Sequence, residues 1–251
     1  MRLKNTKKIK FYNTCLSPNF ENKSKRDIKF IIIHYTGVKP FKKTLEIFKD
    51  PASKVSCHWL ISESGKFYKI VEEKNIAWHC GKSSWKKYVG LNNNSIGIEL
   101  DNPGHGVNYK SFSKSQMDSL VVLLQKIFLE YNINYKNVLA HSDIAPDRKF
   151  DPGELFNWNY LAKKKLAFFP SIKKNQNIKG FVFQFGDSNK TILHIKKLLS
   201  QIGYKTDSSN KYDLKFKLVV EAFQRRFFPF SINGIIDNHV YQRILQIHKN
   251  S

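Results

Sequence analysis

The run Ile28-Lys-Phe-Ile-Ile-Ile33 is apolar and β-branched at almost every position, and it stops at His34. Branched side chains pack well on a pleated surface, so the run reads as a buried strand. His34 then emerges near the strand's carboxyl end, where a loop can turn it towards a ligand. The pattern recurs at Val138-Leu-Ala140, a shorter apolar run that stops at His141. Two histidines at the ends of buried strands can meet at one edge of a sheet, whereas a core histidine more often sits within a strand.

His141 opens the segment His141-Ser-Asp-Ile-Ala-Pro-Asp-Arg-Lys149-Phe-Asp151-Pro-Gly153. Pro152 disfavours helical geometry at Asp151, and Gly153 permits a sharp turn beyond it. A loop fixed in this way aims the Asp151 carboxylate back at the histidine; an ordinary surface loop with an exposed His and Asp is the alternative. A catalytic zinc site needs about three protein ligands and one open position. His34, His141 and Asp151 supply that set. Zinc polarises a scissile carbonyl and lowers the pKa of bound water, but the reaction still needs a base and a cation near the developing oxyanion. Glu99 and Lys149 are the candidates.

Glu99 lies in Ser95-Ile-Gly-Ile-Glu-Leu100, where a period of two puts Ile96, Ile98 and Leu100 on one face and Gly97 and Glu99 on the other. A glutamate in such a strand is costly unless a cation or a metal-bound water compensates it, the alternative being a partly exposed face. Cys57 to Ile61 and Phe67 to Val71 flank Ser-Glu-Ser-Gly and predict a hairpin turning at Gly65. His58, inside its first strand, reads as a hydrogen-bonded structural histidine. Ile76 to Gly81 and Ser83 to Trp85 read as a loop walling a groove, with Trp78, His79 and Trp85 as candidate substrate contacts, though a Trp serves equally as a core anchor.

Helices are expected over Phe41 to Phe48, from a capping box at Ser113-Lys-Ser-Gln116 through Tyr131, and around Leu155 to Lys165. The polar stretch Ser171 to Gly180 reads as a linker. Beyond it, helical patterns over Thr191 to Gln201, Leu214 to Phe228 and Val240 to His248 make a small bundle. Its expected core includes Leu193, Leu198, Leu199, Phe223 and Ile244.

A net charge of +23 draws polyanions, but 37 of the 43 basic residues are lysines spread along the chain, whereas base and phosphate readout leans on arginine. The charge reads as a solvated basic surface rather than a nucleic-acid site. No apolar run reaches the roughly 18 residues of a membrane span. Cys15, Cys57 and Cys80 suit free thiols. No secretory signal or lipobox is readable in Met1 to Lys29.

Five motifs stand in order: Ile-Ile-His34-Tyr-Thr, Val55-Ser-Cys-His58-Trp-Leu-Ile, Ala77-Trp-His79-Cys-Gly, Ser95-Ile-Gly-Ile-Glu99-Leu and the His141 to Gly153 segment. Together they resemble the zinc-dependent N-acetylmuramoyl-L-alanine amidases of the amidase-2 type, which share their fold with peptidoglycan recognition proteins, and most closely the AmiD branch. The resemblance implies an α/β fold, a mixed central β-sheet flanked by helices, with a small C-terminal three-helix domain. It implies zinc on His34, His141 and Asp151, Glu99 as catalytic base, and Lys149 beside the tetrahedral intermediate. The expected partner is peptidoglycan or its muropeptides, cleaved between N-acetylmuramic acid and L-alanine, in the cell envelope or periplasm. A noncatalytic peptidoglycan-recognition module is the alternative, and a nucleic-acid binder the more distant one. Phe223-Gln-Arg-Arg-Phe and Asn233-Gly-Ile-Ile-Asp237 resemble a peptidoglycan-binding domain of the three-helix type. The expected units are a basic tail over 1–27, a catalytic domain over 28–175 and a helical peptidoglycan-binding-like domain over 176–251.

Overall fold

The computed structural model describes residues 13–106, 108–171, 180 and 182–251. The expected domain boundary and most of the linker, residues 172–179, lie outside the described residues. In chain order the elements begin with β1 (Asn13–Thr14), β2 (Phe20–Glu21), β3 (Phe30–Tyr35), α1 (Phe41–Lys49), β4 (Trp59–Ile61), β5 (Phe67–Lys69), β6 (Ile76–Ala77), β7 (Ser84–Trp85) and β8 (Tyr88–Val89). There follow β9 (Ser95–Leu100), α2 (Lys114–Tyr131), β10 (Val138–Ala140), the single turn α3 (His141–Ile144), α4 (Trp158–Lys163), α5 (Lys190–Ile202), α6 (Leu214–Phe227) and α7 (Asn238–Asn250).

Six strands form one mixed sheet in the order β1-β5-β4-β9-β3-β10. β3 pairs in parallel with β9 and β10, β4 in parallel with β9, and β4 with β5 as the expected antiparallel hairpin. Gly65 takes a φ of +83° in its turn, the left-handed region that glycine enters without steric cost. Alternation then assigns the faces. Ile31, Ile33, Ile96, Ile98 and Leu100 point to α2 and pack on Met117, Leu120 and Leu124. Phe30, Ile32 and Leu139 point the other way, into a cluster shared with Ile192, Ile195, Leu199 and Phe223 of the C-terminal helices. Leu60 and Tyr68, nearer the other edge, pack under Phe48 of α1. His34, Gly97, Glu99 and His58 have the parity of this second face.

Ser113 caps α2 as expected, its Oγ accepting from Gln116 N–H at 3.1 Å. The box is not reciprocal: the Gln116 amide donates to the carbonyls of Ile61 and Asp101 and ties the helix to the sheet instead. In the C-terminal helices the buried stripe of α5 is Ile192, Ile195, Leu198 and Leu199, with Leu193 only half-buried, so the expected core there is off by one residue. Gln224 bridges α6 to the following loop, donating to Asn233 Oδ1 and Ile235 O and accepting from the N–H groups of Asn233 and Gly234. Asp237 caps α7 through Val240 N–H at 2.9 Å. The Phe-Gln and Gly-x-x-Asp positions thus hold this unit's own fold. Cys15, Cys57 and Cys80 are free and buried, and no described helix is long and apolar enough to cross a membrane.

The described part of the N-terminal segment is no tail. β1 adds an edge strand to the sheet, β2 pairs with β6, and Arg26 pushes its guanidinium inward. Its Nη1 donates to Glu73 O at 2.6 Å and Asn75 O at 2.5 Å, its Nη2 to Asn92 O at 2.8 Å and Ser95 O at 2.6 Å. One planar fork thereby joins the segment after β5 to the start of β9. Replacing it strands four carbonyls, and hydrogen bonds to charged groups are each worth roughly 1.5–3 kcal/mol. Arg26→Met should lose about 3 kcal/mol of stability, read as a lower urea midpoint at unchanged slope.

Candidate metal centre

β3 delivers His34 as its penultimate residue, and the register sets it opposite Glu99 of β9. β10 pairs Ala140 with Ile33, so His141, the next residue, comes level with His34 on the other side. Ser142 N–H donates to Asp151 O at 3.0 Å, which folds the loop back on the turn that carries His141. The three side chains meet: His34 Nδ1 lies 2.9 Å from His141 Nδ1 and 2.9 Å from Asp151 Oδ2, and His141 Nδ1 lies 3.0 Å from Asp151 Oδ2. All three residues are buried.

Their outer nitrogens decide what that hollow can hold. His141 Nε2 donates to the Cys80 carbonyl at 3.1 Å, and a carbonyl only accepts, so the neutral imidazole has a bare lone pair on Nδ1. His34 Nε2 faces His79 Nδ1 at 3.0 Å, and His79 Nε2 faces Ser95 Oγ, whose proton goes to Leu91 O. The consistent assignment makes His34 Nε2 a donor too. Two lone pairs and a carboxylate then converge away from water, which costs energy unless a cation neutralises them. Burial, then the neighbouring His141, pulls the His34 imidazole down to about 4, so it is neutral and able to ligate at pH 7. Burial opposes ionisation of Asp151, but positive charge in the hollow, first on the His141 side, holds its carboxyl well below the usual carboxylate range. By its donor set the trio could hold a metal ion.

Glu99 and Lys149 border it. Glu99 is half-buried, yet its Oε2 is closed off from solvent and has no hydrogen-bond partner. Burial first, and the Asp151 charge second, push its carboxyl well above the usual range, while Lys149 pulls the other way. A buried carboxylate oxygen with no partner is uncommon, and this one adjoins the three-residue cluster.

The aromatic candidates separate. Trp78 is half-buried and donates through Nε1 to Glu21 Oε1 at 3.2 Å. Trp85 is a core anchor, edge-on to Tyr204 at 5.0 Å between ring centres in the cluster shared with the C-terminal helices. His79 is buried, its Nδ1 3.0 Å from His34 Nε2. His58 is fully buried as expected, its Nδ1 accepting from Gly97 N–H at 3.0 Å.

Sequence reasoning missed the parts that orient the two histidines. A single dipeptide, His79-Cys80, accepts the outer proton of both histidines, and Asn92 Oδ1 fixes that dipeptide by accepting from its two N–H groups at 3.1 and 2.7 Å. Arg148 donates to the same Cys80 carbonyl. Gly97 makes room: any Cβ there would intrude on the His79 ring. A glycine between two strand isoleucines was the available signal for such a close approach.

His79→Phe keeps ring volume but removes the acceptor, and should weaken metal binding by 10- to 100-fold, whereas His79→Asn, whose Oδ1 sits near the Nδ1 position, should recover much of it; equilibrium dialysis against a chelator measures both. A second expectation concerns acid. Burial, then Arg26, pulls the His58 imidazole down to about 3 from 6.5, so between those values the unfolded chain takes up a proton that the folded chain refuses. Stability should therefore fall as pH drops through that window, by up to about 1.4 kcal/mol per unit from this group. Denaturant titrations at pH 7 and 5 should show a smaller pH dependence in His58→Gln.

The model of the N-acetylmuramoyl-L-alanine amidase family, Amidase_2, matches residues 24–154. The chain is 36% identical over 225 residues to the N-acetylmuramoyl-L-alanine amidase AmiD of Escherichia coli, covering 84% of this chain and 78% of that one. It is 32% identical over 169 residues to the 1,6-anhydro-N-acetylmuramyl-L-alanine amidase AmpD of Haemophilus influenzae, covering 59% of this chain and 90% of that one. Its fold matches the solved complex of E. coli AmiD with anhydro-N-acetylmuramic acid-L-Ala-D-γ-Glu-L-Lys, with a TM-score of 0.74, 29% identity and coverage of 92% and 97%.

Proposed function

Because the chain belongs to the N-acetylmuramoyl-L-alanine amidase family, we propose that His34, His141 and Asp151 hold zinc and that Glu99 and Lys149 carry the proton and the charge of its reaction. The reaction is hydrolysis of the amide between N-acetylmuramic acid and the L-alanine of a stem peptide, the activity named for its relatives. The convergence of three metal donors beside an unpartnered Glu99 oxygen is the observation that carries the assignment. Two nitrogens and one oxygen suit zinc, and their 2.9–3.0 Å separations come within a few tenths of an ångström of a tetrahedral edge. That edge is roughly 3.3 Å for bonds of about 2.0 Å. Zinc held by these three residues would supply Lewis acidity towards the scissile carbonyl.

The chain's own groups manage the rest. Glu99 accepts a proton from the attacking water and, once the tetrahedral carbon has formed, delivers it to the alanine nitrogen as the C–N bond breaks. Its burial suits the second half of that role, because a carboxyl that favours its neutral form gives the proton back only to a better base. Lys149 places a fixed positive charge near the oxygen on which negative charge develops. Residues 28–175 make up the catalytic unit in this reading. Residues 176–251 form an appended helical unit that binds peptidoglycan, a role supported by the resemblance of its Phe223-Gln and Gly234 to Asp237 positions.

Purified protein incubated with muropeptides should release free stem peptide, detected by mass spectrometry, and a chelator should stop the release. Intact substrate in the zinc-loaded sample would overturn the assignment. Glu99→Gln should keep its zinc while turnover falls by 10²- to 10⁴-fold, the usual contribution of a positioned acid–base group.

A further inference from the structure

Asp143 lies two residues beyond His141, in the single turn that presents that ligand, and it is 1% exposed. Its Oδ2 accepts from Ala140 N–H at 2.8 Å and so closes the turn on itself. Both carboxylate oxygens are also taken by the C-terminal helical unit. Tyr204, just after α5, donates its hydroxyl to Oδ1 at 2.6 Å, and Arg226 of α6 donates Nη1 to Oδ2. Arg226 Nη2 reaches back along the strand to Val138 O at 2.9 Å. The acceptors named here belong to the strand and turn that carry His141, while Tyr204 and Arg226 come from beyond residue 180.

We propose that Tyr204 and Arg226 are positioning residues of the metal centre: through Asp143 they fix the turn that aims His141, so the C-terminal helices complete the site rather than merely adjoin it. The inference rests on the reading of His141 as a zinc ligand. Helices that only covered the sheet would need apolar contacts, and the shared cluster already supplies them. A buried ion pair across the same junction carries a desolvation cost, and its characteristic return is a defined geometry. The geometry it defines here is local to the ligand. Ser142, between His141 and Asp143, donates its N–H to Asp151 O, so the same turn also bears on the third ligand.

The test compares two full-length variants that each lose one buried tyrosine hydroxyl. Tyr204→Phe keeps its ring contacts with Trp85 and Phe223 but releases Asp143. Tyr212→Phe loses an equivalent bond, to Gly234 O at 2.7 Å, wholly within the C-terminal unit. Zinc affinity, by competition with a chromogenic chelator, should fall about tenfold in Tyr204→Phe and stay at the wild-type value in Tyr212→Phe, with similar small losses of Tm in chelator for both. On muropeptide, Tyr204→Phe should lower kcat with KM unchanged. Equal zinc affinity in Tyr204→Phe and the wild type would overturn the inference, as would an equal loss in both variants. A wild-type chain that takes up no zinc would overturn the ligand assignment itself, and the inference with it.

Discussion

Parallel pairing of β3 with β9 and with β10 is the constraint on which the site depends. It brings His34, Glu99 and His141 to one level of the sheet without any of them having to reach. A parallel ladder has evenly spaced bonds and a fixed parity, so whatever stands on the second face of one strand stands beside the second face of its neighbour. The first face is largely apolar beneath α2, and its burial, together with the Gln116 amide bonded to Ile61 O and Asp101 O, secures the register.

On the chemical face, polar groups are assembled in shells with little redundancy. The inner nitrogens of His34 and His141 face Asp151, and their outer nitrogens face His79 and the Cys80 carbonyl. Asn92 fixes that dipeptide, and Arg26 fixes the segments around Asn92 and Asn75. Each layer holds the one inside it, and Glu99 Oε2 is the one group near the centre with no partner among the described residues.

How much of this was legible depended on separation along the chain. His34 and His141 could be read because each terminates a local apolar run, and Asp151 because Pro152 and Gly153 mark its loop. The face of Glu99 followed from a period of two. The Arg26 fork and the Tyr204–Asp143–Arg226 junction join residues far apart in sequence, and no local pattern distinguishes a buried arginine from a solvated one. Residue type suggests a groove for Trp85 and His79, whereas packing against Tyr204 and hydrogen bonding to His34 bury them. The off-by-one stripe in α5 has a similar origin: which apolar residue of Ile192-Leu193 is buried depends on the sheet the helix meets, not on the helix.

The uniform parity of the chemical face has a further consequence for how the chain can go wrong. Were β9 to slip by one residue against β3, Ile98 or Leu100 would come opposite His34, and Glu99 would turn into the apolar layer under α2. The same slip between β3 and β10 would separate the two histidines. The first slip would leave the three donors together but without Glu99, and the second would part them, so the cluster and its neighbouring carboxylate both depend on the native alignment of the central strands.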